Sequence, residues 1–304
     1  MPAIGAPDPV YGRLVRRAAA VSLSVAALLV FIEVVAYGMT GSVAILASLV
    51  DSALDVLSSA LILLAVSAAT VPADDEHRFG HAKAEPLAAL AQVGFIAASL
   101  FFLTVSAVDR LVHPRPLEHG AVGISLMLLS TLVTVGLVGY QQRIVRRTGS
   151  LAIRADRLHY VADLCANLAV VVAVFGAGYR GIAVLDPLVA LLVVGWLGWG
   201  TVGMAREALD QLMDRELPDA IRIDLLERSA RVDGVMRVHD LRTRAAGNRR
   251  FVQMRVDVDG SLSLERAHAI ADAIEQVIHD ALPDAEVLIH QEPVAAGRPA
   301  GRQH

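Results

Sequence analysis

Two short strings carry ionisable side chains inside otherwise apolar sequence. The first reads Ser48-Leu49-Val50-Asp51-Ser52-Ala53-Leu54-Asp55, with Ser58 and Ser59 a turn further on. The second reads His159-Tyr160-Val161-Ala162-Asp163, extended by Asp156 and Asn167. In a helix, steps of three and four return to one face, so Ser48, Asp51, Asp55 and Ser59 form one stripe. Asp156, His159, Asp163 and Asn167 form another. An ionisable group at the centre of a membrane helix costs about 2.5–3.5 kcal/mol on insertion scales and marks a pathway or a site. Two carboxylates one turn apart, without water, repel unless one is protonated or a cation lies between them. Packing the stripes together offers Asp51, Asp55, His159 and Asp163, three carboxylates and one imidazole, as a tetrahedral set for a divalent transition ion. Such a mixture suits Zn²⁺, Fe²⁺, Cd²⁺ or Mn²⁺ better than Ca²⁺, which takes more oxygens. The alternative is scattered polar residues satisfied by helix–helix hydrogen bonds; two acid-containing i,i+4 pairs in separate spans weigh against it.

Other candidates are less sharply defined. Asp74, His77 and His81 are spaced so that two imidazoles and a carboxylate converge if the segment makes a helical turn. A solvated surface loop is the competing reading. Glu33 is a lone carboxylate in an apolar run, either an outward-facing structural residue or a proton-relay group. Cys165 lies off the Asp163 face and reads as packing.

The surrounding composition supplies the elements that must position these groups. Of 304 residues, 55% are hydrophobic and 19% charged, and the mean hydropathy is +0.54. A soluble domain carries roughly a quarter charged residues. Charge is scarce between Ala18 and Ala205 and ordinary after Arg206, which argues for a membrane domain followed by an aqueous one. Crossing a hydrocarbon core of about 30 Å takes about 20 helical residues. Six segments qualify: Arg17 to Tyr37, Val43 to Ala68, Leu87 to Val108, Ala121 to Tyr140, Leu158 to Gly178, and Pro187 to Met204. Gly38 with Gly41, Pro72, Pro114 with Pro116, Gly149 and Asp186-Pro187 punctuate them.

Basic residues set the expected topology. Arg13, Arg16 and Arg17 precede the first span, Arg78 and Lys83 follow the second, and Arg143, Arg146, Arg147, Arg154 and Arg157 lie between the fourth and fifth. Only Arg110, Arg115 and Arg180 fall on the other side, so both termini are expected in the cytoplasm. The first apolar run is too long for a secretory signal and lacks a small-residue cleavage site. A net charge of −4 and a single cysteine argue against nucleic-acid binding, a disulfide framework and a Cys-rich zinc module.

Beyond Leu217 the periodicity changes. Ile221 to Val232 reads as an amphipathic helix, Val235 to Arg244 and Arg250 to Val258 as strands joined at Ala246-Gly247-Asn248, Leu264 to Leu282 as a second helix and Ala285 to Gln291 as a last strand. The expected fold is therefore a polytopic α-helical membrane protein with six transmembrane helices and a C-terminal cytoplasmic α-β-β-α-β (α+β) domain. Its expected divisions are a cytoplasmic segment 1–16, a transmembrane domain 17–205, a cytoplasmic domain 206–293 and a disordered tail 294–304.

These strings together resemble the cation diffusion facilitator family, close to its bacterial zinc/iron exporters. The likeness runs through Thr40-Gly41-Ser42, the Asp51/Asp55 pair and Pro72-Ala73-Asp74-Asp75-Glu76-His77-Arg78-Phe79-Gly80-His81-Ala82-Lys83-Ala84-Glu85. It continues through the His159/Asp163 pair, Asp186-Pro187 and His239-Asp240-Leu241-Arg242. It implies a homodimer in the bacterial inner membrane that moves a divalent metal outward in exchange for protons, with a metallochaperone-like cytoplasmic domain that dimerises and senses metal. The family transport site maps onto Asp51, Asp55, His159 and Asp163, a pattern resembling members that handle zinc, cadmium or ferrous iron. A second zinc site maps onto Asp74, His77 and His81, a structural interlock onto Lys83 and Asp214, and cytoplasmic metal positions onto His239, His268, His290 and Glu292. Arg255 stands where the similar proteins have a metal-bridging histidine. A guanidinium repels metal, which leaves either one weaker site or a permanent Arg255–Glu292 salt bridge.

Two other function classes compete. Paired transmembrane aspartates occur in intramembrane proteases, but here both lie on one helix, with no Gly-x-Gly-Asp element and no His-Glu-x-x-His. A membrane-bound metal sensor or a passive channel differs from an antiporter only in its response to a proton gradient.

Overall fold

Where lipid offers no hydrogen-bond partners, a long apolar run satisfies its own backbone as a helix. The computed structural model, which describes residues 9–112, 121–180 and 185–294, shows six such helices. They are α1 (Pro9–Thr40), α2 (Val43–Ala69), α3 (Ala84–Val112), α4 (Ala121–Thr148), α5 (Leu151–Arg180) and α6 (Leu185–Leu212). Among the described residues, four stretches are long and apolar enough on their own to cross a membrane: Pro9–Thr40, Ser48–Ala69, Ala84–Asp109 and Leu188–Leu212. The helices are 27 to 32 residues long, so at 1.5 Å per residue they exceed the hydrocarbon thickness and their ends emerge.

This excess explains where the expected boundaries fall short. The fifth helix starts at Leu151, not Leu158, because a turn outside lipid needs a cap rather than apolar residues. Gly149 supplies a left-handed turn at φ 66°, and Ser150 Oγ accepts from the Ile153 N–H at 3.3 Å. The buried Glu85 of α3 completes this terminus. It accepts from Ser150 Oγ, from the Ala152 N–H at 3.3 Å and from Tyr11 Oη of α1 at 2.5 Å. A carboxylate at a helix N-terminus meets unsatisfied N–H groups and the positive end of the dipole, so one acid ties α1, α3 and α5 together.

The chain divides into two compact units, Pro7–Leu209 and one that begins at Asp210. In the second, α7 (Asp219–Ala230), β1 (Arg237–Ala246), β2 (Arg249–Asp259), α8 (Leu264–Ala281) and β3 (Ala285–Val294) follow the expected order. The sheet order is β1-β2-β3, with β1 antiparallel and β3 parallel to β2. Ser263 caps α8 by accepting from the Arg266 N–H at 3.3 Å. Ala267, Ile270, Ile274 and Ile278 then recur at steps of three and four and pack on Val252, Met254, Val256 and Val258 of β2. Alternation sends Arg255 and Asp257 to the sheet face opposite that core. Pro114, Arg115 and Pro116, and residues 1–8 and 295–304 of the two expected terminal segments, lie outside the described residues.

Candidate metal centre

The α2 and α5 stripes meet inside the membrane unit. His159 Nε2 is 2.8 Å from Asp55 Oδ1 and 3.8 Å from Asp163 Oδ2, and donor atoms of these three residues all lie within 4.8 Å of one another. Ligands about 2.0 Å from a tetrahedral zinc ion stand roughly 3.3 Å apart, so the observed separations bracket a metal cage. Two buried atoms, His159 Nδ1 and Asp163 Oδ2, have no hydrogen-bond partner, an orphaning that a bound cation relieves at the carboxylate. Asp51 falls outside the tight triad. It lies one turn before Asp55, within electrostatic reach of Asp55, His159 and Glu33 and of Asp163.

A buried polar network orients α5 for this task. Gln141 of α4 donates from Nε2 to Asp156 Oδ2 at 2.8 Å and to Ser22 Oγ of α1 at 2.9 Å. Tyr160 Oη and Ser59 Oγ of α2 are 2.8 Å apart. Asp156 and Ser59 were legible as stripe residues; Gln141, Ser22 and Tyr160 were not, since a lone polar residue in a span names no partner.

In the loop after α2, Asp74, His77 and His81 converge without a helix. Asp74 Oδ1 accepts the backbone N–H groups of Glu76 at 3.0 Å and His77 at 2.6 Å, a side-chain-to-backbone turn. Its carboxylate is 3.4 Å from His77 Nδ1 and from His81 Nε2. The His77 N–H, helped by that of Glu76, holds the Asp74 carboxyl below its usual range, because hydrogen bonds to the charged form favour it.

The C-terminal sheet presents a two-by-three array on the face opposite its core. Arg237, Asp257 and Glu292 form one row and His239, Arg255 and His290 the other. His239 Nε2 is 2.9 Å from Asp257 Oδ1 and 3.6 Å from Glu292 Oε2. Arg255 donates to Glu292 Oε1 at 2.9 Å, and its Nε is 3.3 Å from Asp240 of β1. His239 and Glu292 thus come together with Asp257, which sequence reasoning missed; its signal was opposite parity to the core positions of β2. His290 Nε2 lies 4.0 Å from Glu292, whereas His268 on α8 faces Asp272 at 3.7 Å. Asp214 pairs with Arg244 at 3.1 Å.

A multi-pass helical domain with acid and imidazole stripes facing each other, followed by a small α+β domain, defines a membrane transporter of metal cations. The chain matches the family models described as cation efflux transmembrane domain over residues 19–213 and cation efflux protein, cytoplasmic domain, over residues 217–294. It belongs to the cation diffusion facilitator family and is a divalent-metal efflux transporter rather than an enzyme. It is 42% identical over 293 residues to the cation-efflux pump FieF of Salmonella newport (strain SL254), covering 96% of this chain and 97% of that protein. The same values hold for the cation-efflux pump FieF of Salmonella heidelberg (strain SL476). The solved structure MamM-CTD 215-293 is 27% identical, covers 25% of this chain and 98% of its own, and has a TM-score of 0.24.

Proposed function

We propose that this transporter exports Zn²⁺, or Fe²⁺ or Cd²⁺, from the cytoplasm in exchange for protons. It works as a homodimer in the bacterial inner membrane with both termini cytoplasmic. The observation that carries the reading is the meeting of Asp55, His159 and Asp163 donor atoms within 4.8 Å, with Asp51 one turn away as the fourth ligand. Metal needs these groups deprotonated, so protons and metal compete for the same side chains. Imidazole, with an unperturbed pKa of about 6.5, is the ligand suited to carry a proton between pH 5 and 8. Metal binds in the inward-facing state, and protons offered from the other side evict it after the bundle rocks.

Asp74, His77 and His81 form a second zinc position at the cytoplasmic boundary. In the cytoplasmic domain, His239, Asp257 and Glu292 form at most one weak metal position, which Arg255 on the opposite Glu292 oxygen largely pre-empts. His268 and His290 are left as outer groups. Lys83 and Asp214 interlock the protomers in competition with the Arg244 pair.

The test is metal accumulation in sealed proteoliposomes under an imposed pH gradient. Accumulation of Zn²⁺ that reverses with the gradient and disappears with a protonophore is the expected result. Flux that follows only the metal gradient makes the protein a channel, and absence of flux with tight binding makes it a sensor.

A further inference from the structure

Glu33 belongs to the buried face of α1, where Ser22, Ala26, Leu29 and Ala36 are its companions. It is only 8% exposed. Ser48 Oγ donates to its Oε1 at 2.7 Å, while Oε2 is buried and has no hydrogen-bond partner. Among the described residues no basic group pairs with it. A buried carboxylate with one empty oxygen costs free energy unless a proton or cation completes it.

Satisfying Ser48 does not require such a residue. Serines and threonines in helices ordinarily bond the carbonyl four residues back, as Ser22 does to Ala18 and Thr40 to Ala36. Ser48 instead reaches across the seam between α1 and α2. Its position extends the Asp55–Asp51 stripe by one more turn, and Glu33 lies within electrostatic reach of Asp51. The acidic line therefore runs from the His159 triad through Asp51 to Glu33. It moves toward the N-terminal end of α2, away from the Asp74 loop that follows the other end.

We propose that Glu33 and Ser48 form a second, transient position for the divalent cation, one turn beyond Asp51 on the release side of the transport site. Calling that side the release side rests on the export reading above. A partly hydrated Zn²⁺, Fe²⁺ or Cd²⁺ ion finds there a carboxylate oxygen and a hydroxyl when protons displace it from the central ligands. Because the position acts after central binding, its loss slows turnover more than it weakens equilibrium affinity.

The experiment compares Glu33→Gln, Glu33→Asp and Ser48→Ala with the parent, using Zn²⁺ flux in proteoliposomes and Zn²⁺ binding by calorimetry on the full-length protein. Asp55→Ala serves as the control for the central site. Glu33→Gln is expected to lose about tenfold in maximal flux while Zn²⁺ affinity stays within about threefold, and Glu33→Asp to recover most of the flux. Parent-like flux in Glu33→Gln overturns the proposal, as does a loss of binding as large as that of Asp55→Ala. Equal thermal destabilisation of Glu33→Gln and Glu33→Asp also overturns it, by making the role structural. If Asp55→Ala itself transports normally, the central-site reading has failed instead.

Discussion

At the scale of the residue, the proposed central site asks four side chains to choose between one divalent ion and protons. Asp55 and His159 stand 2.8 Å apart, so removing either takes away one donor of the proposed site. Asp55→Ala and His159→Ala are each expected to lower Zn²⁺ flux at least about a hundredfold while the protein still elutes as a folded species; normal flux in either means the site is misplaced. The loop site makes a separate prediction about pH. The Asp74 carboxyl is held below its usual range by the His77 and Glu76 N–H groups. A depressed folded pKa contributes stability above the unfolded value of about 3.9 and loses it as pH falls through the folded value. The turn should therefore keep its amide protection at pH 5 and open only below about pH 4, as hydrogen exchange over residues 74–81 would report. Asp74→Ala, which removes the accepting oxygen, should open it already at pH 7, whereas Asp74→Asn keeps an acceptor and should retain the turn.

At the scale of the element, the question is what keeps α5 turned so that His159 and Asp163 face α2. The fully buried Asp156 receives its amide donor from Gln141, and that amide also holds Ser22. Gln141→Ala leaves a buried carboxylate without this donor, a change that typically costs about 1–3 kcal/mol. Thermal unfolding should fall accordingly and Zn²⁺ affinity should weaken through misalignment of α5, whereas an unchanged affinity would separate the network from the site. How far such features were legible follows the same physics. Helix identity was readable because lipid allows little else, and the pairing of the stripes was readable because i,i+4 spacing fixes a face. The beginning of α5 was not, since capping by Glu85 depends on a helix distant in sequence. Nor was the outer array of the sheet fully readable. A bulge between His239 and Arg242, with Asp240 at φ 48°, resets the register of β1 where alternation alone predicts none.

At the scale of the whole molecule, the question is whether the cytoplasmic domain needs metal to hold its sheet together. Asp240, Asp257 and Glu292 crowd three carboxylates from three strands onto one face, and like charges at this spacing need cations between them. Arg255 supplies one permanently, reaching Glu292 at 2.9 Å and Asp240 at 3.3 Å, while Arg237 covers Asp257 at 3.0 Å. A ligand that binds only the folded state at a hundred times its dissociation constant adds about 2.7 kcal/mol, roughly 11–22 °C for a domain of this size at 4–8 °C per kcal/mol. With the arginine in place that increment is largely pre-empted, so a chelator should leave the unfolding temperature of the cytoplasmic domain within about 2 °C. Arg255→Ala removes the resident cation and frees Glu292 for metal beside His239 and Asp257, so saturating Zn²⁺ should then raise the unfolding temperature by about 10 °C or more and a chelator should reverse it. Differential scanning calorimetry of both proteins, with and without chelator, reads the outcome. A large chelator-induced drop in the parent would show that metal, not the guanidinium, neutralises this face.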